Sequence, residues 1–306
     1  MPPSEPAPRH SDQSQVSTII LAPMPGARPV RVRVDFGALT HVGKVRPNNE
    51  DQYLIARLSK SLDVLASSLP GDDHARLLGP HGYLMLVADG MGGRGGGEIA
   101  SARVVQAAKR HVLQTAKWFF RFGDENEEQR VHDLREALAR IDRELVEAAE
   151  DEPALAGMGT TLTAASSIGE EVFIVHVGDS RAYLFRRGEL DQLTRDHTMA
   201  QGLIDAGLID PEEARSHRLR NVLTNCVGGH LGVKGEITKL RIADGDRLLL
   251  CTDGLNDAVS DTRIAELLSR HNNPAVASAA LVDAALDGGG RDNITALVAA
   301  YSVADA

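Results

Sequence analysis

The sequence predicts an α+β protein in which antiparallel sheets carry helices packed on the outside. Two observations lead there. From Thr160 short apolar stretches follow one another, "TTLTAASSI", "EVFIVHV", "RAYLFRR" and "ELDQLT", and the joints "IGEE" and "RRGE" between them suit hairpins. Long helical stretches come in pairs between blocks of such strands, not one for one with strands as a doubly wound parallel sheet requires.

Each element can be justified in chain order. Residues 1–31, rich in Pro, Ser and Gln and without periodicity, read as a flexible tail ahead of a domain spanning 32–303. "VRVDFGALTHVG" alternates and opens the ordered part. Residues 56–82 read as a long hairpin excursion with a helical piece, and "YLMLVAD" as a buried strand that ends on Asp89. "GEIASARVVQAAKRHVLQTAKWFF" and "VHDLREALARIDRELVEAAE" are helices. In the second, Val131, Leu134, Leu138, Ile141 and Leu145 recur every three or four residues, one apolar stripe for a core. Residues 195–222 form a helical insertion in which Asp210, Pro211 and Glu213 supply an N-cap, N1 and N3 start signal. Strand "RLLLCTD", helices near Thr262–Arg270 and Pro274–Leu286, the break "DGGGRDN" and the strand "ITALVAAYS" complete the chain.

Composition narrows the function. The chain has 306 residues, 42% hydrophobic and 25% charged, the proportions of a globular protein. A net charge of -10 and only 4% aromatic residues argue against nucleic acid and anionic membrane as partners. No apolar run approaches the roughly 18 residues that a membrane helix needs, and no signal-peptide pattern opens the chain. Cys226 and Cys251 lack the spacing of a disulfide scaffold or zinc site. A cytoplasmic setting is expected by elimination.

The chemistry is written in where the aspartates fall. "LMLVADG", "FIVHVGDSR" and "LLLCTDG" each run an apolar strand into an aspartate beside glycine, "GGGRDN" places another just before the last strand, and "RPNNED" adds acids near the front. A single "DG" is ordinarily a turn, "GDSR" a hairpin corner and "RDN" a cap. Together they are harder to dismiss. Carboxylates at the ends of buried strands carry a desolvation cost and would repel one another if they converged. A hard divalent cation with oxygen ligands relieves both. The run "VADGMGGRGGG" fits this, since glycine lets backbone come close to an ion at Asp89 and Gly90.

The ordered set "VRPNNED", "VADGMGG", "GMGTTLTA", "VHVGDSRAYLFRRGEL", "LTRDHT", "LLLCTDGLNDAVSD" and "GGRDNIT" resembles the bacterial branch of the metal-dependent protein phosphatase 2C family. The resemblance runs from about Val32 to Val303. It implies a β-sandwich of two antiparallel sheets flanked by helices on both sides, with Mn2+ or Mg2+ at one end: two ions, and a third in a weaker site. Carried over by position, Asp89 bridges the ions and Gly90 supplies a carbonyl. Asp253 and Asp292 are ligands of the first metal, and Glu50 and Asp51 the acidic pair near the second. Asp179 belongs to the third site, with Asp257 assisting, and Arg46 grips the substrate phosphate. The resemblance further implies a serine/threonine phosphatase, a monomer, acting on proteins phosphorylated by bacterial kinases. Water or hydroxide between the two ions would be the attacking group, and 195–222 the family's mobile flap.

The chemistry is coherent on its own terms. Paired cations can activate a water and clamp both ends of an in-line displacement, and a guanidinium fork suits phosphate oxygens. No GxSxG or other activated nucleophile competes. Many eukaryotic relatives carry a histidine after the "DG", where this chain has Met91. The general acid is therefore open, with a metal-bound water the first choice; His176, alternating with apolar strand residues, reads as structure. Two other classes remain: a silent binding module, disfavoured because every matched acid is present, and a metal-dependent nuclease or nucleotide hydrolase, disfavoured by acidity and the lack of a GK[ST] loop.

Overall fold

The computed structural model describes residues 18–20, 30–63, 76–92, 96–114, 127–152, 155–229 and 232–305. Strands β1 (Thr18–Ile20), β2 (Val30–His41), β3 (Asp51–Asp63) and β4 (Arg76–Met91) come first, followed by helices α1 (Gly96–Gln114) and α2 (Glu127–Asp151). Strands β5 (Gly159–Thr160), β6 (Leu162–Ile168), β7 (Glu171–Val177), β8 (Arg181–Arg186) and β9 (Glu189–Gln192) lead to helices α3 (Met199–Asp205) and α4 (Pro211–Ser216). The chain closes with β10 (Glu236–Arg241), β11 (Arg247–Cys251), α5 (Asp253–Asn256), α6 (Asp261–Arg270), α7 (Pro274–Asp287) and β12 (Ile294–Asp305).

The strands make two sheets. The seven-stranded one runs β1-β4-β6-β7-β10, with β3 and β5 also paired to β4, and the five-stranded one runs β2-β12-β11-β8-β9. Pairing is antiparallel except between β1 and β4. Period-two alternation explains why these strands read as almost continuous apolar runs. Met85 and Val87 face the seam between the sheets with Leu184, Leu248, Leu250, Leu297 and Tyr301. Leu84 and Leu86, one step out of phase, pack outward on α1 and α2 with Val104, Leu138, Ile141 and Leu145. Leu249, Val298 and Phe185 do the same on the other side with Ile264, Leu268, Leu281 and Val282 of α6 and α7. The result is helices, sheet, sheet, helices, as the sequence predicts.

Several expectations are refined. Within the stretch read as a tail, Thr18–Ile20 forms a strand, in keeping with three β-branched residues in a row. The 56–82 excursion is a hairpin of long arms, β3 on β4; the helical piece would fall largely on 64–75, outside the described residues. Strand β10 was not anticipated, because "EITKLR" carries few apolar residues and pairs at a sheet edge. In the insertion Asp210 caps α4 as expected, its carboxylate accepting from the Glu213 N–H at 2.8 Å. No helix among the described residues is long and apolar enough to cross a membrane.

Register decides where the acids go. Asp51 pairs with Asp89, Leu162 with Val177, Cys251 with both Ala296 and Arg181, and Ile294 with His41. The start of β3, the ends of β4, β7 and β11, and the start of β12 therefore lie at one end of the sandwich.

Candidate metal centre

Asp51 is held across the seam. It is 2% exposed, and its Oδ2 accepts from the hydroxyls of Thr252 at 2.8 Å and Thr295 at 2.7 Å, both carried by the opposite sheet's strand ends. Thr252 stands at the N-cap of α5 but makes no side-chain cap: its hydroxyl oxygen accepts the Thr295 N–H at 2.9 Å, and its proton goes to Asp51. Thr295 is backed by Thr40 at 2.8 Å, itself receiving a hydrogen bond from Asn49 at 2.9 Å. Neither the other oxygen of Asp51, Oδ1, nor Asp253 Oδ1 has a hydrogen-bond partner among the described residues, and both are buried. A buried, bare carboxylate oxygen needs a cation or a proton.

The remaining acids stand close enough to act on one another. Burial, then the charges of Asp51, Asp253, Asp179 and Asp292, lift the Asp89 carboxyl well above the ordinary aspartate range. Burial, then Asp179, Asp292, Asp257 and Asp51, do the same to Asp253. Asp51 is pushed up to about 7, chiefly by burial and against its two hydroxyl donors. Asp179 is also pushed up to about 7, by burial and then Asp196. Glu50 is raised by burial first, with Arg46 opposing. Acids pulled from five separate stretches of chain, at 50–51, 89, 179, 253–257 and 292, thus share one field. Among the described residues no three His, Cys, Asp or Glu side chains close on a single point as a ready-made metal cage. The donor set fits ions such as Mg2+ and Mn2+, which take oxygen ligands and keep part of their water shell, better than an ion that demands a full ring of side chains.

Backbone packing fixes the rim. Gly90 donates to the Glu50 carbonyl at 3.2 Å, and a Cβ on Gly90 would stand 2.0 Å from the Gly97 carbonyl oxygen. A Cβ on Gly97 would in turn meet the Glu50 carboxyl at 2.8 Å. The glycines behind Asp89 are there because two stretches of main chain touch. Asn293 ties the front loop to the last strand: its Oδ1 accepts from the Glu50 N–H at 2.7 Å, and its Nδ2 donates to the carbonyls of Val42 and Asn48, both at 2.9 Å. Asp89 is bound at both main-chain atoms, its N–H to Thr161 Oγ1 and its carbonyl to the Thr161 N–H, each at 2.9 Å.

Most sequence candidates gather here. Arg46 is exposed and its Nη2 lies 2.6 Å from Asp292 Oδ2, with Asp253 and Asp89 also acting on it. Asp257 is at the outer edge, 3.5 Å from Arg220 Nε, its charge felt by Asp179 and Asp253. His176 is structural: buried, 2.9 Å from the Thr163 hydroxyl and 3.0 Å from the Arg195 carbonyl, with burial driving its pKa down to about 3. Both cysteines are free, and Cys251 is fully buried. Arg94, in the run "VADGMGGRGGG", lies outside the described residues. Thr252, Thr295, Asn293 and Thr161 also belong to the site; each sits inside a quoted motif, but a neutral hydroxyl or amide carries no signal until register gives it a partner.

Fold and site define a four-layer αββα sandwich with an acidic centre at one end. The protein phosphatase 2C family pattern matches residues 64–286. The serine/threonine protein phosphatase PstP of Mycobacterium tuberculosis is 44% identical over 267 residues, covering 86% of this chain and 44% of PstP. The serine/threonine phosphatase stp of Listeria monocytogenes is 35% identical over 215 residues, 70% of this chain and 83% of the relative. Among solved structures, the PstP catalytic domain in complex with two manganese ions superposes with a TM-score of 0.69 at 35% identity, covering 89% of this chain and all of that one. The chain belongs to the protein phosphatase 2C family. It spans less than half the length of PstP.

Proposed function

We propose that this chain is a metal-dependent serine/threonine protein phosphatase. It would hydrolyse phosphoserine and phosphothreonine in proteins and so oppose protein kinases. One observation carries the reading: bare carboxylate oxygens of Asp51 and Asp253, from opposite sheets, share a field with Asp89, Asp179 and Asp292 beside the exposed guanidinium of Arg46. Family membership, and the names of the relatives as serine/threonine phosphatases, support it.

Asp89 would serve both ions, with Asp253 and Asp292 at the first and the Gly90 carbonyl, Glu50 and Asp51 at the second; Asp179 with Asp257 would serve a weaker third. When bound, such ions supply a water of lowered pKa and neutralise charge on the displaced oxygen. The protein's part is placement. Thr252 and Thr295 aim Asp51, Thr161 fixes Asp89, and Asn293 sets the loop that carries Arg46 and Glu50. Arg46, pivoting from Asp292, would take two phosphate oxygens in its planar fork and orient the ester for in-line attack.

The test is phosphate release from p-nitrophenyl phosphate and from a phosphothreonine peptide. Activity with Mn2+, its loss in EDTA, and at least a hundredfold fall in kcat for Asp253→Asn are expected. Turnover that ignores EDTA, or an inactive wild type with manganese bound, would reject the assignment.

A further inference from the structure

The insertion after β9 meets the acidic end of the sandwich at one histidine. His197 grips Gly178 from two sides: its N–H donates to the Gly178 carbonyl at 2.7 Å, and the Gly178 N–H donates to its ring Nδ1 at 3.1 Å. Asn225 Nδ2 reaches the same Nδ1 at 2.9 Å, and the Asn225 amide is oriented by Lys234, whose N–H donates to its Oδ1 at 3.2 Å. Two donors converge on Nδ1, so the ring proton sits on Nε2, which faces Glu236 Oε1 at 3.3 Å. The ring also lies 4.9 Å from that of His176. The far end of the insertion returns to the same place: the Thr224 N–H donates to the His197 carbonyl at 2.8 Å, and the Met199 N–H to the Val222 carbonyl at 2.8 Å. Entry and exit of α3 and α4 are buttoned together at His197.

From there the contacts run inward. Gly178 has φ +108 and presses on Thr161, whose Cγ2 would be 2.5 Å from any Cβ at that position. Thr161 Oγ1 lies 2.7 Å from Ser180 Oγ and accepts the Asp89 N–H. Asp179 sits between Gly178 and Ser180. A shift of His197 therefore cannot leave Gly178, Thr161 and the backbone of Asp89 where they are.

We propose that His197 is a positioning residue: its unprotonated Nδ1 locks the Gly178–Ser180 turn and, through Thr161, the aspartate at the centre, so that the seating of the insertion sets the geometry of the site. The role in turnover rests on the phosphatase reading above. His197 acts through Gly178 and Thr161, not on substrate.

The chemistry supplies a sharp comparison. His197→Asn places an oxygen where Nδ1 stands, whereas His197→Gln carries its oxygen one atom further out and His197→Ala carries none. With Mn2+ and p-nitrophenyl phosphate, kcat is expected to fall about 10–100-fold in the Ala and Gln variants with KM little changed, and to recover to within about threefold in Asn. Amide hydrogen exchange in EDTA-treated protein gives a second readout, free of metal and of activity. It should quicken at both Gly178 and Asp89 in Ala and Gln, and at neither in Asn. Wild-type kcat in Ala and Gln, an Asn variant as slow as Ala, or quickened exchange at Gly178 with Asp89 unmoved would overturn the proposal. Should His197→Ala fail to fold, the Asn and Gln pair decides. An inactive wild type would sink the phosphatase reading instead, and the exchange measurements would then decide the coupling alone.

Discussion

Asp51→Asn asks whether the centre is held together against its own electrostatics. Burial pushes the Asp51 carboxyl up to about 7, from 3.8 in an unfolded chain. A carboxyl raised in the folded state favours folding at low pH, where both states carry the proton, and loses that advantage as pH rises toward the folded value. The gap of about three pH units, at about 1.4 kcal/mol each, makes the ionised group cost ~4 kcal/mol at pH 8 and little at pH 4. Asparagine has nearly the same shape, keeps an oxygen for Thr252 and Thr295, and carries no charge. Its amide brings N–H donors of its own, so the pH dependence of the difference carries the test, not its value at one pH. Urea unfolding of metal-free protein at pH 4, 6 and 8 should show Asp51→Asn gaining on wild type by about 3–4 kcal/mol across that range. Saturating Mn2+ should then stabilise the wild type more than the variant, which keeps the residues of the first ion and loses one of the second. A difference that stays flat from pH 4 to pH 8 would refute the reasoning.

Three further outcomes follow from the geometry. Arg46→Ala should raise KM for phosphoesters and weaken inhibition by inorganic phosphate about tenfold, while Mn2+ affinity measured by calorimetry holds; loss of metal instead would mean that the arginine serves Asp292, not phosphate. Asn293→Ala removes three hydrogen bonds to backbone and strands the Glu50 N–H, which should cost about 2–4 kcal/mol in urea unfolding and lower kcat as the front loop loosens. His176, neutral in the fold with a pKa near 3 against 6.5 when exposed, favours folding above pH 6.5 and loses that advantage as pH falls toward 3. The stability difference between wild type and His176→Gln should therefore shift by about 2 kcal/mol against the wild type between pH 8 and pH 5; no shift would place His176 in contact with water.

Apolar alternation and glycine-bounded strand ends made the sandwich legible, because strands buried on both faces have little freedom in what they can contain. Leu84 to Val87 could only be such a strand. Edge strand β10 was illegible for the opposite reason, being mostly polar. The acids could be located because aspartate at the end of an apolar run is physically expensive and so stands out. Thr252, Thr295 and Asn293 did not stand out: hydroxyl and amide side chains in turns are common, and their meaning depends on register. Only the pairing of β11 with β12, and the seam beneath Asp51, turns two threonines into partners of one carboxylate. His197 lies within "LTRDHT", but its grip on Gly178 spans 19 positions and no spacing rule encodes it.

The contact of Gly90 with Gly97 bears on how this centre can drift over generations. Where side chains meet, a neighbour can rotate aside and absorb a replacement. At Gly90 main chain lies on main chain, with nothing in between to swivel, and a Cβ at Gly97 would meet the Gly90 main chain and the Glu50 carboxyl alike, each at 2.8 Å. The smallest available change, one methyl, would lever Glu50 away from Asp89, so sequence variation at these two positions has no gentle first step.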